Sequence, residues 1–259
     1  MLVVHGSHYF TVLTAHSRLK PSLLLFLIVI QFKYLFDSTM RLGTVVPDFS
    51  AVTTKGPINF YEWVGESWCV LFSHPSDFTP VCTTELGKMA VLVDEFTKRS
   101  VKVLGLSCDK LESHVDWIND IKSYCLDIKG EFPYPIISDS TRDLAVQLDM
   151  ISEEDKDNVE LALTIRSLYI IGPDKKVKLM MVYPTSTGRN IQEILRCIDS
   201  LQLCDRKNTI ATPANWVPGE KVMILPTVKD EDLDALFPNG YEKRSMPSSV
   251  DYLRTTTDY

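Results

Sequence analysis

The sequence predicts an α/β protein built on a sheet of mixed strand direction. Three observations carry this. Apolar strand-like runs alternate with segments of helical periodicity from about residue 45 to residue 203. Two of those runs, Trp68 to Ser73 and Val101 to Ser107, are apolar enough to be buried on both faces. Gly172-Pro173-Asp174-Lys175 lies between the strand-like runs Leu161 to Ile171 and Val177 to Tyr183 and reads as a hairpin turn.

In chain order, Val45 to Val52 is expected as a strand, Lys55-Gly56-Pro57 as a turn and Ile58 to Phe60 as a second short strand. The core strand Trp68 to Ser73 runs into a loop and then a helix reaching about Arg99, with Leu86, Met89, Ala90, Val93 and Phe96 at helical spacing. After the strand Val101 to Ser107, a helix from Ser113 to about Tyr124 is expected with Val115, Ile118 and Ile121 on its apolar stripe. Ile136-Ile137 is a short strand, and Asp139 or Ser140 is placed to cap a helix ending near Met150. The polar, acidic stretch Ser152 to Glu160 reads as a loop, and Asn190 to about Leu203 as a helix. Beyond Cys204 the periodic elements shorten. Val222 to Leu225 and a helix near Asp230 to Phe237 suggest a small C-terminal arm.

Composition narrows the function. With 259 residues the chain has room for one large domain and an appendage, and its net charge of −7 argues against non-specific nucleic-acid binding. Six cysteines, at 69, 82, 108, 125, 197 and 204, form no C-x-x-C pair and no zinc-spaced cluster with histidine. A reducing compartment is therefore expected, hence a cytoplasmic protein, with most of these thiols acting as small buried hydrophobes.

One of them stands apart. His74-Pro75-Ser76-Asp77-Phe78-Thr79-Pro80-Val81-Cys82-Thr83-Thr84-Glu85 places Cys82 where a loop becomes a helix, with Pro80 suited to the first helical turn. A thiol there meets unpaired N–H groups and the positive end of the helix dipole, both of which favour the nucleophilic thiolate. Thr79, three residues upstream, is placed to cap the helix or to fold its hydroxyl toward the sulfur. Arg166 interrupts an otherwise apolar strand. Its residue context allows a structural ion pair, an edge position or an anion-facing role.

Pro75-x-x-x-Thr79-x-x-Cys82 resembles the active-site signature of the peroxiredoxins, and Phe72-Ser73-His74-Pro75 through Glu85-Leu86 resembles their one-cysteine subfamily, the sixth class in mammals. The likeness extends from about Arg41 to the C-terminus through Gly172-Pro173-Asp174-Lys175-Lys176, Thr187-Gly188-Arg189-Asn190 and Leu225-Pro226-Thr227. It implies a thioredoxin-like fold with a mixed central sheet, a peroxidase domain over 40–204, a C-terminal peroxiredoxin domain over 205–259 that serves as dimerisation arm, and a homodimer.

The resemblance also implies the chemistry. Cys82 reduces hydrogen peroxide and organic, including lipid, hydroperoxides through a sulfenic acid, with no metal or other cofactor. Arg166 faces the sulfur, Thr79 and Pro75 complete the catalytic set, and His74, Glu85 and Arg189 brace it. Two-cysteine relatives carry a resolving cysteine where this chain has Thr212 in Ala211-Thr212-Pro213. An external thiol, glutathione or a reductase protein, is therefore the expected reductant, with the other five cysteines as competing resolvers. Two other functions compete with this one. Lipid hydrolysis at Gly65-Glu66-Ser67-Trp68-Cys69 lacks the last glycine of Gly-x-Ser-x-Gly and has Tyr61 in place of the expected histidine, with only Asp174 retained. A non-enzymatic chaperone leaves Pro75, Thr79, Cys82 and Arg166 unexplained.

Residues 1–39 differ from the rest. No Asp or Glu precedes Asp37, and the apolar run Leu23 to Ile30 is too short to span a bilayer, which takes roughly 20 residues. No stable membrane insertion is expected. The absence of acidic residues fits a mitochondrial leader. The favoured expectation is an upstream extension with Met40 as an alternative start, because Met40-Arg41-Leu42-Gly43 abuts the start of the resemblance.

Overall fold

Val70, Leu71 and Phe72 are fully enclosed because their strand, β3 (Trp68–Ser73), sits near the middle of a seven-stranded sheet. The computed structural model describes residues 40–151 and 163–259. The expected extension 1–39 and the whole of the expected loop Ser152 to Glu160 therefore lie outside the described residues. Residues 41–259 form one compact unit.

The remaining strands of this sheet are β1 (Ser50–Thr53), β2 (Gly56–Asn59), β4 (Val101–Ser107), β5 (Ile136–Ser138), β6 (Arg166–Ile171) and β7 (Val177–Tyr183), in the order β2-β1-β5-β4-β3-β6-β7. β3 pairs parallel with β4 and antiparallel with β6, which makes the sheet mixed as expected. The β6–β7 hairpin closes through Gly172, whose N–H donates to the Lys176 carbonyl. Helices α1 (Phe60–Val64), α2 (Pro80–Val91), α3 (Val93–Lys98), α4 (Leu111–Tyr124), α5 (Asp143–Gln147) and α6 (Ile191–Arg206) complete this part of the chain. The main core joins Val70, Phe72 and Leu168 of the sheet to Leu86 of α2, Trp117 of α4 and Ile194 of α6. This is a thioredoxin-like α/β fold.

A second, four-stranded sheet, β10-β11-β9-β8, follows. It comprises β8 (Ile210–Ala211), β9 (Val222–Ile224), β10 (Glu242–Lys243) and β11 (Arg254–Thr256). Its own core gathers Trp216, Val222, Ile224, Leu233 and Phe237. Arg254 staples it by donating to the Val228 and Leu225 carbonyls.

Several elements differ from expectation. Of Val45 to Val52, only Ser50 onward pairs as a ladder. Val45 and Val46 instead meet the hairpin at Lys176 and Lys175, and Pro47, which lacks an N–H, separates the two. Phe60 begins helix α1 rather than ending a strand, because the Asn59 side chain accepts from Glu62 N and caps it. The helix expected to reach Arg99 is divided at Leu92. On α4 the buried residues are His114, Trp117 and Ile121, while Val115 is half exposed. Asp139 does accept from Leu144 N and Ala145 N, but the helix it serves stops at Gln147. β6 starts at Arg166, since the Ile165 N–H donates to Met150 and the Ile165 carbonyl accepts from Ser73 Oγ. The helix expected near Asp230 to Phe237 is a short 3-10 turn, Asp230–Asp232, followed by α7 (Leu233–Leu236).

Candidate active site

The buried strand β3 delivers the chain to Ser73, where the His74–Thr79 loop turns it into α2. Pro80 occupies the first turn of α2, and Cys82 follows within that same turn, wholly enclosed. Thr79 is the residue before the helix, but its hydroxyl does not cap it. That hydroxyl donates to the Ser76 carbonyl at 2.8 Å, which fixes its rotor. Pro75 is buried beside it.

Arg166 opens β6, on the strand adjacent to β3, and is 2% exposed. Its Nη1 lies 3.3 Å from Cys82 Sγ and 2.6 Å from Glu85 Oε2. Nε and Nη2 both donate to the Thr185 carbonyl, at 3.0 and 2.7 Å, so the guanidinium plane has one orientation. Glu85 lies one helical turn beyond Cys82 and is itself buried.

Arg189 grips Glu85 from the other side. Its backbone N and Nε approach Oε1 at 2.6 and 2.9 Å, and Nη2 approaches Oε2 at 3.1 Å. The same side chain donates to the Ser167 and Ser73 carbonyls, each at 2.9 Å, and lies over the Phe72 ring. Arg189 thus ties α2 to β3 and β6 around Glu85. Burial is the largest influence on Glu85 and raises its pKa, but Arg189 and then Arg166 outweigh it and hold the carboxyl below the usual range. Two guanidinium cations therefore face one carboxylate. A thiolate at Cys82 brings this enclosed cluster to neutrality, and a buried cluster without net charge avoids the heavy cost of an unpaired ion.

All seven residues expected at the site fall into one neighbourhood. Cys82, Arg166, Glu85 and Arg189 form one bonded network, and His74, Pro75 and Thr79 line the loop above it. His74 is not free in that loop: its Nε2 bonds to Asp77 Oδ1 at 2.8 Å. Three further participants escaped sequence reasoning. Asp77 and His114 are joined by a 2.7 Å hydrogen bond, and Thr185 orients Arg166. The spacing of His114, Trp117 and Ile121 along α4 was the available signal, since it marks a buried stripe one residue away from the one expected. His74, Asp77 and His114 place three potential ligand atoms within 4.8 Å of one another. Their donors already engage each other at hydrogen-bond distance, which describes a polar network rather than ligands gathered round an ion.

The other thiols are differently placed. Cys69 is enclosed in β3 and burial pushes its pKa far up. Burial likewise pushes Cys108 up to about 12 and Cys197 up to about 11. At the hydrolase alternative, Tyr61 and Asp174 are both engaged elsewhere. Tyr61 Oη donates to the Val46 carbonyl, and the Asp174 carboxylate pairs with Lys178 Nζ at 2.8 Å.

A mixed thioredoxin-like sheet that sets a buried cysteine in the first turn of a helix, facing an arginine, defines a thiol peroxidase. The AhpC/TSA family model matches residues 42–180, and the model of the C-terminal domain of 1-Cys peroxiredoxin matches residues 200–239. The chain belongs to the peroxiredoxins, in their one-cysteine subfamily, and is a thiol-dependent peroxidase. Human peroxiredoxin-6 is 49% identical over 218 residues, covering 84% of this chain and 97% of that protein. The crystal structure of a cysteine-to-serine mutant of the peroxiredoxin 6 of Arenicola marina matches with a TM-score of 0.80 at 50% identity, over 85% of this chain and 99% of that one. A yeast mitochondrial 1-Cys peroxiredoxin matches with a TM-score of 0.75 at 43% identity, over 84% and 99%.

Proposed function

We propose that Cys82 is the single peroxidatic cysteine, acting on hydrogen peroxide and on organic, including lipid, hydroperoxides. The observation that carries this reading is the 3.3 Å approach of Arg166 Nη1 to Cys82 Sγ inside a cluster that holds one cation more than it has carboxylates. The thiolate attacks the terminal hydroxyl oxygen of the peroxide. An S–O bond forms, the O–O bond breaks, and the alkoxide or hydroxide leaves and takes up a proton. Sulfur is oxidised by two electrons to sulfenic acid as the peroxide is reduced to alcohol or water. Arg166 stabilises both the thiolate and the charge developing on the departing oxygen. Thr79 and Pro75 shape the pocket, Glu85 and Arg189 hold Arg166 in place, and His74 sets the loop.

The sulfenic acid is resolved by an external thiol. One thiol condenses with it to a mixed disulfide and water, and a second releases the Cys82 thiol and an oxidised disulfide. Glutathione or a reductase protein fills this role. Thr212, at the position of the two-cysteine resolving residue, has a hydroxyl bonded to Ser200 Oγ at 2.5 Å and no thiol to offer. The yeast mitochondrial relative has a thiol-resolving mechanism that runs via glutathione/thioredoxin systems, which supports the same class of reductant here.

The protein acts as a cytoplasmic homodimer. Residues 40–204 serve as peroxidase domain, 205–259 as the C-terminal domain that supports pairing, and 1–39 as a dispensable extension. Among the described residues no helix is long and apolar enough to cross a membrane. Mass spectrometry after one equivalent of peroxide, with and without glutathione, tests the cycle. Sulfenic acid on Cys82, converted to a glutathione adduct, is the expected result. An intrachain disulfide to any of the other five cysteines overturns external resolution.

A further inference from the structure

Asp77 sits in the middle of the loop between β3 and α2, with 1% of its side chain exposed. Its carboxylate accepts three hydrogen bonds: from His74 Nε2 at 2.8 Å, His114 Nδ1 at 2.7 Å and Ser113 Oγ at 2.8 Å. Its own N–H donates to Asp109 Oδ2 at 3.0 Å. Ser113 and His114 both come from the N-terminal part of α4, so this helix grips the loop from outside the signature sequence.

The hydrogens can be counted. His114 Nε2 lies 3.2 Å from the Ile137 carbonyl, which only accepts. His114 Nδ1 faces a carboxylate, which when ionised also only accepts. The His114 ring thus bridges the Asp77 carboxylate and the Ile137 carbonyl and ties α4 to the loop. His74 has the complementary arrangement. Its Nε2 gives a hydrogen to Asp77, and its Nδ1 is enclosed with no partner among the described residues. Burial lowers the pKa of His74, against the pull of Asp77, which leaves Nδ1 as a bare lone pair. Asp77 moves the other way from its own burial. Enclosure raises its pKa, but the bonds from His114 and His74 outweigh this and hold it below the usual carboxylate range. Asp109 is the other charged group facing the cluster, and it accepts from Ser107 Oγ as well as from Asp77 N.

The loop needs such a grip. Phe78, the residue after Asp77, has φ of +52°, a left-handed conformation that bulky side chains seldom adopt. Its own side chain is 56% exposed and meets only the edge of α4, at Trp117, with ring centroids 6.4 Å apart. Backbone of this kind persists only when its surroundings over-determine it.

We propose that His114 is a positioning residue for the peroxidase reaction: held between Asp77 and the Ile137 carbonyl it clamps Asp77, and through Asp77 it fixes both the His74 tautomer and the backbone that carries Pro75 and Thr79 to Cys82. The proposal rests on Cys82 being the reacting thiol, but its structural half is measurable without turnover.

The first test is ring 15N NMR of histidine-labelled protein. In the parent His74 should carry hydrogen only on Nε2, and His114→Phe should disturb that pattern. Hydrogen on His74 Nδ1 in the parent, or a His74 spectrum unchanged in His114→Phe, overturns the proposal. The second test is the rate of Cys82 oxidation, taken where thiolate absorbance has reached its plateau and corrected for folded fraction. His114→Phe should lower it by about tenfold or more, with His114→Gln, which keeps one donor for Asp77, recovering part of the loss. A purely structural residue would lower the unfolding temperature and leave that rate within about twofold of the parent, which also overturns the proposal. Should His114→Phe not fold, a His114→Gln rate equal to the parent, or the ring spectrum itself, decides against it. Cys82→Ser separates the two readings. It should be inactive and yet retain the same ring spectrum, whereas activity in Cys82→Ser removes the peroxidase assignment on which the proposal stands.

Discussion

Arg166 Nη1 stands 3.3 Å from Cys82 Sγ and 2.6 Å from Glu85 Oε2, so one guanidinium nitrogen serves the thiol and its neighbouring carboxylate together. The remaining nitrogens are anchored on the Thr185 carbonyl. On the proposed mechanism a side chain held this way is already oriented, and no reorganisation is required as charge moves from sulfur to oxygen.

Cys82→Ser should abolish peroxide consumption. Single Cys→Ser changes at 69, 108, 125, 197 and 204 should each leave most of it. Stopped-flow peroxide consumption by the six variants checks this, and activity in Cys82→Ser comparable to the parent would refute the assignment.

Arg166→Lys should not be tolerated. Lysine keeps the charge but loses the planar fork that reaches sulfur, Glu85 and Thr185 at once. Measured where the thiol is fully ionised, the oxidation rate should fall by about 10²-fold, the scale of losing one oriented donor to a developing oxyanion. An unchanged rate under that condition would make Arg166 a structural ion pair only.

Glu85→Gln leaves two buried guanidiniums without their carboxylate and should destabilise the fold by about 3–5 kcal/mol at neutral pH. Because the folded pKa of Glu85 is depressed, its contribution is complete above the unfolded glutamate value of roughly 4.3 and is lost as pH falls through the folded value. The stability gap between parent and variant should therefore close below about pH 4. Denaturant titrations at neutral and acid pH measure it, and a gap that stays constant would contradict the ion-pair account.

Gly87 lies on α2 where a Cβ would clash with Cys125 Sγ. Gly87→Ala should cost about 1–3 kcal/mol through overpacking. Adding Cys125→Ala should relieve the clash, so the pair should be markedly less damaging than the sum of the singles. Additive unfolding free energies would show that the helix moves away instead.

The parts legible in the sequence share a physical property: each is encoded by neighbours in the chain. Trp68 to Ser73 is buried along its whole length, and Val101 to Ser107 everywhere but at Lys102, so their apolarity marked them with the observed boundaries. Asn190 caps α6 through its own side chain, accepting from Gln192 N and Glu193 N. Cys82 was visible because proline, threonine and cysteine fall at fixed offsets where a loop enters a helix.

Other features required contacts that span the chain. The strands of the C-terminal sheet are two or three residues long, too short for a period of two to emerge, and their pairing holds them in place. Helix α1 has five residues and depends on one Asn59 cap. His114 reads as an ordinary helical residue until α4 packs against the loop and brings it to Asp77, 37 positions earlier. The sequence by itself determined that this chain is a peroxiredoxin and which cysteine stands at the helix start, because local spacing encodes both. Only the tertiary structure decided that Glu85 joins two arginines and that His114 backs the loop through Asp77, because burial removes competing water and leaves each polar group to the partner the fold provides.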